Sequence, residues 1–182
     1  IPYYAIKYDS SKIFVDENKM QSESNEQAVN IKNEILSKTV ENDLENLRIV
    51  HDYLVDAVEY DEEAGKNVYN IYGTLINKRA VCEGYARTYK TILDELGIPC
   101  IIACGIARNN EGVTESHAWN YIKLQDQWYA LDITWDDPVI IGEGTGSLSN
   151  EVRYAYLVEG ANMFYLRFTA GMTIDKFLDD LF

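Results

Sequence analysis

Basic residues are scarce in this chain of 182 residues: 16 Lys and Arg stand against 30 Asp and Glu, a formal net charge of −14. Such a surface repels nucleic acid and anionic membranes, whose binding depends on Lys and Arg meeting phosphate. We read the excess acid as solubility. No run of 18 apolar residues occurs, so no membrane insertion is expected of this segment. Three cysteines are too few for a disulfide framework. Cys100 and Cys104 lie in the apparent strand PCIIACGIA, where a step of four separates Cα atoms by about 13 Å. A disulfide needs less than about 7 Å. The step is even, so both point to one face, and both are expected to be small buried hydrophobes. No C-x-x-C, calcium loop or other ligand set is present, so no metal and no cofactor are expected. A signal peptide is missing, and the sequence opens at Ile1 rather than Met. This fits a piece of a longer chain from which an export signal or anchor has been removed.

What is present describes a globular protein. Apolar residues make up 47% and charged residues 25%, enough for a real core in one domain with a modest appendage. We expect residues 1–40 to form an arm and a helix packing on the core, and residues 41–182 to form the main domain. Helical spacing appears over 25–40 (Val29, Ile31, Ile35, Leu36), then over 43–58 (Leu47, Val50, Leu54, Val55, Val58). A third helix is expected over 81–96, with Gly97 as terminator and Pro99 preventing continuation. Residues 59–80 read as loop. The period then becomes strand-like in PCIIACGIA, SHAWNYIKL and QWYALDITW. Helices followed by strands predict an α+β fold with an antiparallel sheet. The tail adds a strand-like RYAYLV and a helical IDKFLDDLF.

Chemistry is concentrated at Cys82, His117 and Asp132. Cys82 opens the third helix, where unpaired N–H groups and the helix dipole favour a thiolate. Glu83 opposes that effect, and Gly84 is expected to leave room for substrate in the first turn. A thiol nucleophile needs a base, and only two histidines exist. His51 shares the apolar face of the second helix and is expected to be a core residue. His117 begins a strand beside a loop, which suits a base. If Gln125–Asp126 is a two-residue turn, Leu124 pairs with Gln127, Trp119 faces Asp132 and His117 faces Thr134. His117 and Asp132 then share a face as diagonal neighbours, about 7–8 Å apart at the backbone. Asp132 sits in an apolar stretch and needs a partner; His117 is the partner this register offers. Asp136, Asp137 and Glu143 form an acidic patch expected to be solvated surface.

At these residues the sequence resembles the bacterial transglutaminase-like superfamily, which has a papain-like fold. The segments that carry the likeness are YGTLINKRAVCEGYARTYKTILDELGIPC and SHAWNYIKLQDQWYALDITWDDP, within roughly residues 43–138. The resemblance implies a catalytic Cys82, His117 and Asp132, acting on protein or peptide amides through a thioester. Tyr72, Trp119 and Trp135 are candidates for the substrate cleft, Tyr72 and Trp119 also for a second oxyanion donor. Tyr85 is read as core. Three readings stay open at this point: acyl transfer to an amine, hydrolysis by a cysteine protease or amidase, and a non-catalytic cell-surface binding module. Relatives of this type are often exported, so an extracellular or cell-surface location is expected, with a cytoplasmic one as the alternative.

Overall fold

The computed structural model describes residues 4–6, 19–108, 114–136, 157 and 159–160. A short strand β1 (Tyr4–Ile6) precedes two helices, α1 (Lys19–Leu36) and α2 (Asp43–Ala57). The first helix starts and ends earlier than its apolar spacing predicts, and Val29 on it is 37% exposed rather than core. Its junction with α2 is locked by Asn46, which accepts from the Val40 N–H at 2.7 Å and donates back to the Val40 carbonyl at 2.8 Å. Asn42 caps α2 by accepting from the Glu45 N–H at 3.0 Å, and Asp43 and Glu45 suit the positive end of its dipole. Leu47, Val50, Leu54 and Val55 are buried on one face, as their spacing demands.

Residues 59–80, expected to be loop, hold short regular pieces instead. These are β2 (Glu59–Tyr60), a 3₁₀ turn (Lys66–Tyr69), a π-helical turn (Gly73–Asn77) and β3 (Arg79–Ala80). Strands of two residues carry no readable period, so the sequence pattern could not show them. The two strands pair in parallel, Tyr60 opposite Ala80. This delivers the chain to α3 (Cys82–Glu95), whose buried stripe is Tyr85, Tyr89, Ile92 and Leu93. Tyr85 is core as expected, its hydroxyl donating to the Val58 carbonyl at 3.0 Å. The Tyr89 hydroxyl donates to the Leu47 carbonyl at 2.8 Å, so both phenols fasten α3 to α2. Gly97 ends the helix in the left-handed region (φ +72), and the Ile98 N–H returns to the Leu93 carbonyl at 3.0 Å.

The remaining strands are β4 (Cys100–Arg108), β5 (Thr114–Leu124), β6 (Gln127–Leu131) and β7 (Glu159–Gly160). With β1 they form an antiparallel sheet in the order β1-β4-β5-β6-β7. The α+β expectation holds. So does the hairpin register: Leu124 faces Gln127, and Gln125 and Asp126 take positive φ (49 and 63), the turn that matches strand twist. The third strand, however, ends at Leu131. Residues Ile133–Asp136 form a short helix, α4, so the pairings Trp119–Asp132 and His117–Thr134 do not form.

Helix α3 lies against β4 and β5, and α2 packs on α3 and α4. Lys90 ties helix to sheet, donating to the Cys100 carbonyl at 2.9 Å while pairing with Asp94. Asn120 on β5 donates to the Ala86 carbonyl of α3 at 3.1 Å. The second bond ties the first half of α3 to the strand that carries His117. Among the described residues no helix is long and apolar enough to cross a membrane. RYAYLV and IDKFLDDLF fall mostly or wholly outside the described residues.

Candidate active site

Cys82 is the first helical residue of α3, half-buried, with Val81 extended before it. The Val81 N–H donates to the Val68 carbonyl at 3.0 Å, so the 3₁₀ turn sets the entry to the helix. Gly84 has a different use from the one expected. A Cβ there would lie 2.3 Å from the Val68 carbonyl oxygen and 3.0 Å from the Ala80 Cβ. The missing side chain admits this chain's own backbone, not a substrate. Glu83 is offset by Arg87 one turn on, whose Nε donates to Glu83 Oε1 at 2.8 Å. The charge expected to oppose a thiolate is therefore paired.

His117 lies within β5 rather than at its start, opposite Gly105, and is 6% exposed. Its Nε2 lies 2.6 Å from Asp132 Oδ2. An ionised carboxylate only accepts, so Nε2–H is the donor and Nδ1 is the edge left for Cys82. Cys82 is close enough to His117 to add to the rise in the imidazole pKa. Asp132 is 1% exposed and caps α4: its Oδ1 accepts from the Thr134 N–H at 3.1 Å and the Trp135 N–H at 3.4 Å. The cap turns the chain out of the strand and aims the other oxygen at His117. The three predicted residues thus converge, with the carboxylate held by a helix cap rather than by a strand register.

Electrostatics favour a charged imidazole. Burial alone lowers the pKa of His117, but the Asp132 charge and hydrogen bond, with a smaller part from Cys82, outweigh it and raise it to about 10. Trp119 and Trp135 lie nearly parallel to the imidazole, with centroids 6.1 and 5.1 Å away. Two of the three expected cleft aromatics therefore lie against His117, Trp119 buried and Trp135 half-buried. Tyr72 instead sits at the head of the π-helical turn, and no hydrogen bond or ring contact described links it to the three.

Sequence reasoning missed Tyr60. Its pairing with Ala80 brings the phenol beside the start of α3, where its hydroxyl donates to Glu62 at 3.0 Å. Burial first, then the Cys82 charge and Glu62, push its pKa well up. The other cysteines differ from one another. Cys100 is fully buried, as expected, and burial raises its thiol to about 12. Cys104 is only half-buried and packs beside Cys82, with burial and then Glu83 and Cys82 raising it to about 11.

The acidic patch is corrected in part. Asp136 is 1% exposed and bonded to His51, not solvated; Asp137 and Glu143 lie outside the described residues. His51 is in the core as expected, but as half of an ion pair. The partners are 85 residues apart, which no local pattern reveals.

Comparison with known proteins places the chain in a family by sequence. Residues 30–133 match the family model described as the transglutaminase-like superfamily. Two curated relatives are kyphoscoliosis peptidases: the mouse protein is 25% identical over 122 residues and the human protein 25% over 109. The matches cover 59% and 54% of this chain but only 18% and 16% of those proteins. A solved structure of a TGase superposes with a TM-score of 0.49 at 19% identity, covering 76% of this chain and 37% of that one.

Proposed function

The chain belongs to the transglutaminase-like superfamily, and on that premise we propose that it performs cysteine-dependent acyl transfer on protein or peptide amides. One observation carries the reading: the buried 2.6 Å His117–Asp132 bond, beside a Cys82 that adds to the rise in the His117 pKa. In this scheme Cys82 reacts as thiolate beside the His117 imidazolium. Its sulfur attacks the amide carbonyl carbon, and the oxyanion is held by the Cys82 backbone N–H at the start of α3. As the C–N bond breaks, His117 gives its Nδ1 proton to the leaving amine, and a thioester remains on Cys82. An incoming amine or water attacks the thioester and passes its proton to His117, and the thiolate leaves. Asp132 stays ionised throughout and holds the ring in place. Trp119 and Trp135 restrict the motion of the imidazole and form part of the cleft wall.

The acceptor decides between cross-linking and hydrolysis. The name peptidase on the curated relatives favours hydrolysis as the second reading. The test incubates the protein, and Cys82→Ala as control, with a Gln-containing peptide and a labelled primary amine, followed by mass spectrometry. A labelled amide product dependent on Cys82 supports transfer. A free acid or a cleaved peptide dependent on Cys82 assigns the site to hydrolysis. No product from a range of amides, despite a reactive thiol, would leave the non-catalytic module as the better account.

A further inference from the structure

The His51–Asp136 pair lies outside the three residues proposed to do chemistry, yet it is the most deeply buried ion pair among the described residues. Both side chains are fully buried. His51 Nε2–H donates to Asp136 Oδ2 at 3.1 Å, and Nδ1–H to Asp52 Oδ1 at 3.2 Å. Two accepting carboxylates require both ring nitrogens to carry protons, and the direction of the His51 pKa agrees. Burial lowers it, but the bonds to Asp136 and Asp52 raise it on balance. The Tyr89 phenol, on α3, also faces this group and feels both carboxylates.

A pair of this kind is costly to bury, and apolar residues of similar volume commonly stabilise as well or better. Its place in the chain suggests what it does instead. Helix α4 has four residues, too few to hold its own shape. Its first end is Asp132, bonded to His117; its last is Asp136, bonded to His51 on α2. Between them Trp135 lies parallel to the His117 ring at 5.1 Å. We propose that His51 and Asp136 are positioning residues: they clamp the far end of α4 to α2, and so hold the Asp132 carboxylate and the Trp135 ring in register with His117. The inference rests on the reading of Cys82, His117 and Asp132 as the reacting group.

The test compares the parent, Asp136→Ala and Asp136→Asn, with near-UV circular dichroism to establish folding. Two quantities are read: the rate of Cys82 alkylation by iodoacetamide from pH 5 to 9, and the ¹⁵N resonances of the imidazoles. The chain has only two histidines, so assignment is direct. The clamp predicts that D136A slows alkylation at pH 6 by about tenfold or more and moves the His117 resonances. D136N, which still accepts the Nε2–H bond, restores both. A folded D136A with lower stability but unchanged profile and His117 resonances would overturn the clamp, as would a folded D136N that behaves like D136A. If D136A alone does not fold, the double variant H51L/D136A makes the same discrimination without an unpaired buried charge. A parent lacking any low-pH reactivity would sink the acyl-transfer reading and the clamp together; a parent with it, and variants identical to the parent, sink the clamp alone.

Discussion

Replacing Asp132 by Asn separates the charge of the carboxylate from its shape. The Asn Oδ1 can still accept from the Thr134 and Trp135 N–H groups, so the cap on α4 survives. The oxygen 2.6 Å from His117 Nε2 becomes an NH₂ group, which donates and forces Nε2 to accept. The imidazole proton must then sit on Nδ1, which can no longer accept the proton of the Cys82 thiol. The free energy at stake follows from the His117 pKa, raised from 6.5 to about 10. At 1.36 kcal/mol per unit this is roughly 4–5 kcal/mol of preference for imidazolium. Without the Asp132 charge, burial dominates and the preference reverses. We expect a fall of about 10²–10⁴ in the rate of thioester formation, the usual contribution of a positioned acid–base group. The assay is burst kinetics with an activated acyl donor, alongside a urea titration to show that the variant is folded. A folded D132N that acylates within about threefold of the parent would refute the argument, because neither the charge nor the tautomer would then matter.

The other expectations are brief. Gly84→Ala places a Cβ against the Val68 carbonyl and should cost about 1–3 kcal/mol in urea unfolding; a neutral result would mean the 3₁₀ turn does not seat against α3 as described. Limited iodoacetamide at pH 7 should label Cys82 alone, since burial holds Cys100 and Cys104 protonated, up to about 12 and 11; peptide mapping that finds Cys104 labelled equally fast would contradict this. His117 binds its proton more tightly folded than unfolded, so its contribution to stability is complete below about pH 6.5 and is lost as pH rises towards 10. Thermal unfolding of the parent minus that of His117→Ala should therefore decline across that window, and a difference that grows with pH would reverse the sign of the coupling.

Much of this architecture could be read from the residues, for identifiable reasons. The hairpin register followed from an even side-chain period and a turn of two residues, and Leu124 does face Gln127. Cys82 at a helix start followed from the apolar stripe of Tyr85, Tyr89 and Ile92 ending just before Gly97. The His117–Asp132 contact was expected for a partly wrong reason. The apolar run WYALDITW predicts strand through Asp132, whereas Asp is also a preferred residue at a helix start. The sequence DITWD did carry that signal. Gly84 could not be assigned from sequence, because the atom that needs its space belongs to Val68 on another element. The burial of Asp136 was equally hidden: only tertiary contact with His51 turns an apparent surface acid into half of a core ion pair.

The most direct test of the central claim is the pH dependence of Cys82 alkylation by iodoacetamide in the parent and in His117→Ala. A coupled thiolate–imidazolium pair predicts that the parent is alkylated at pH 6 at least about tenfold faster than His117→Ala. A pH profile of alkylation unchanged by the substitution would contradict the pairing of Cys82 with His117 and with it the proposed chemistry.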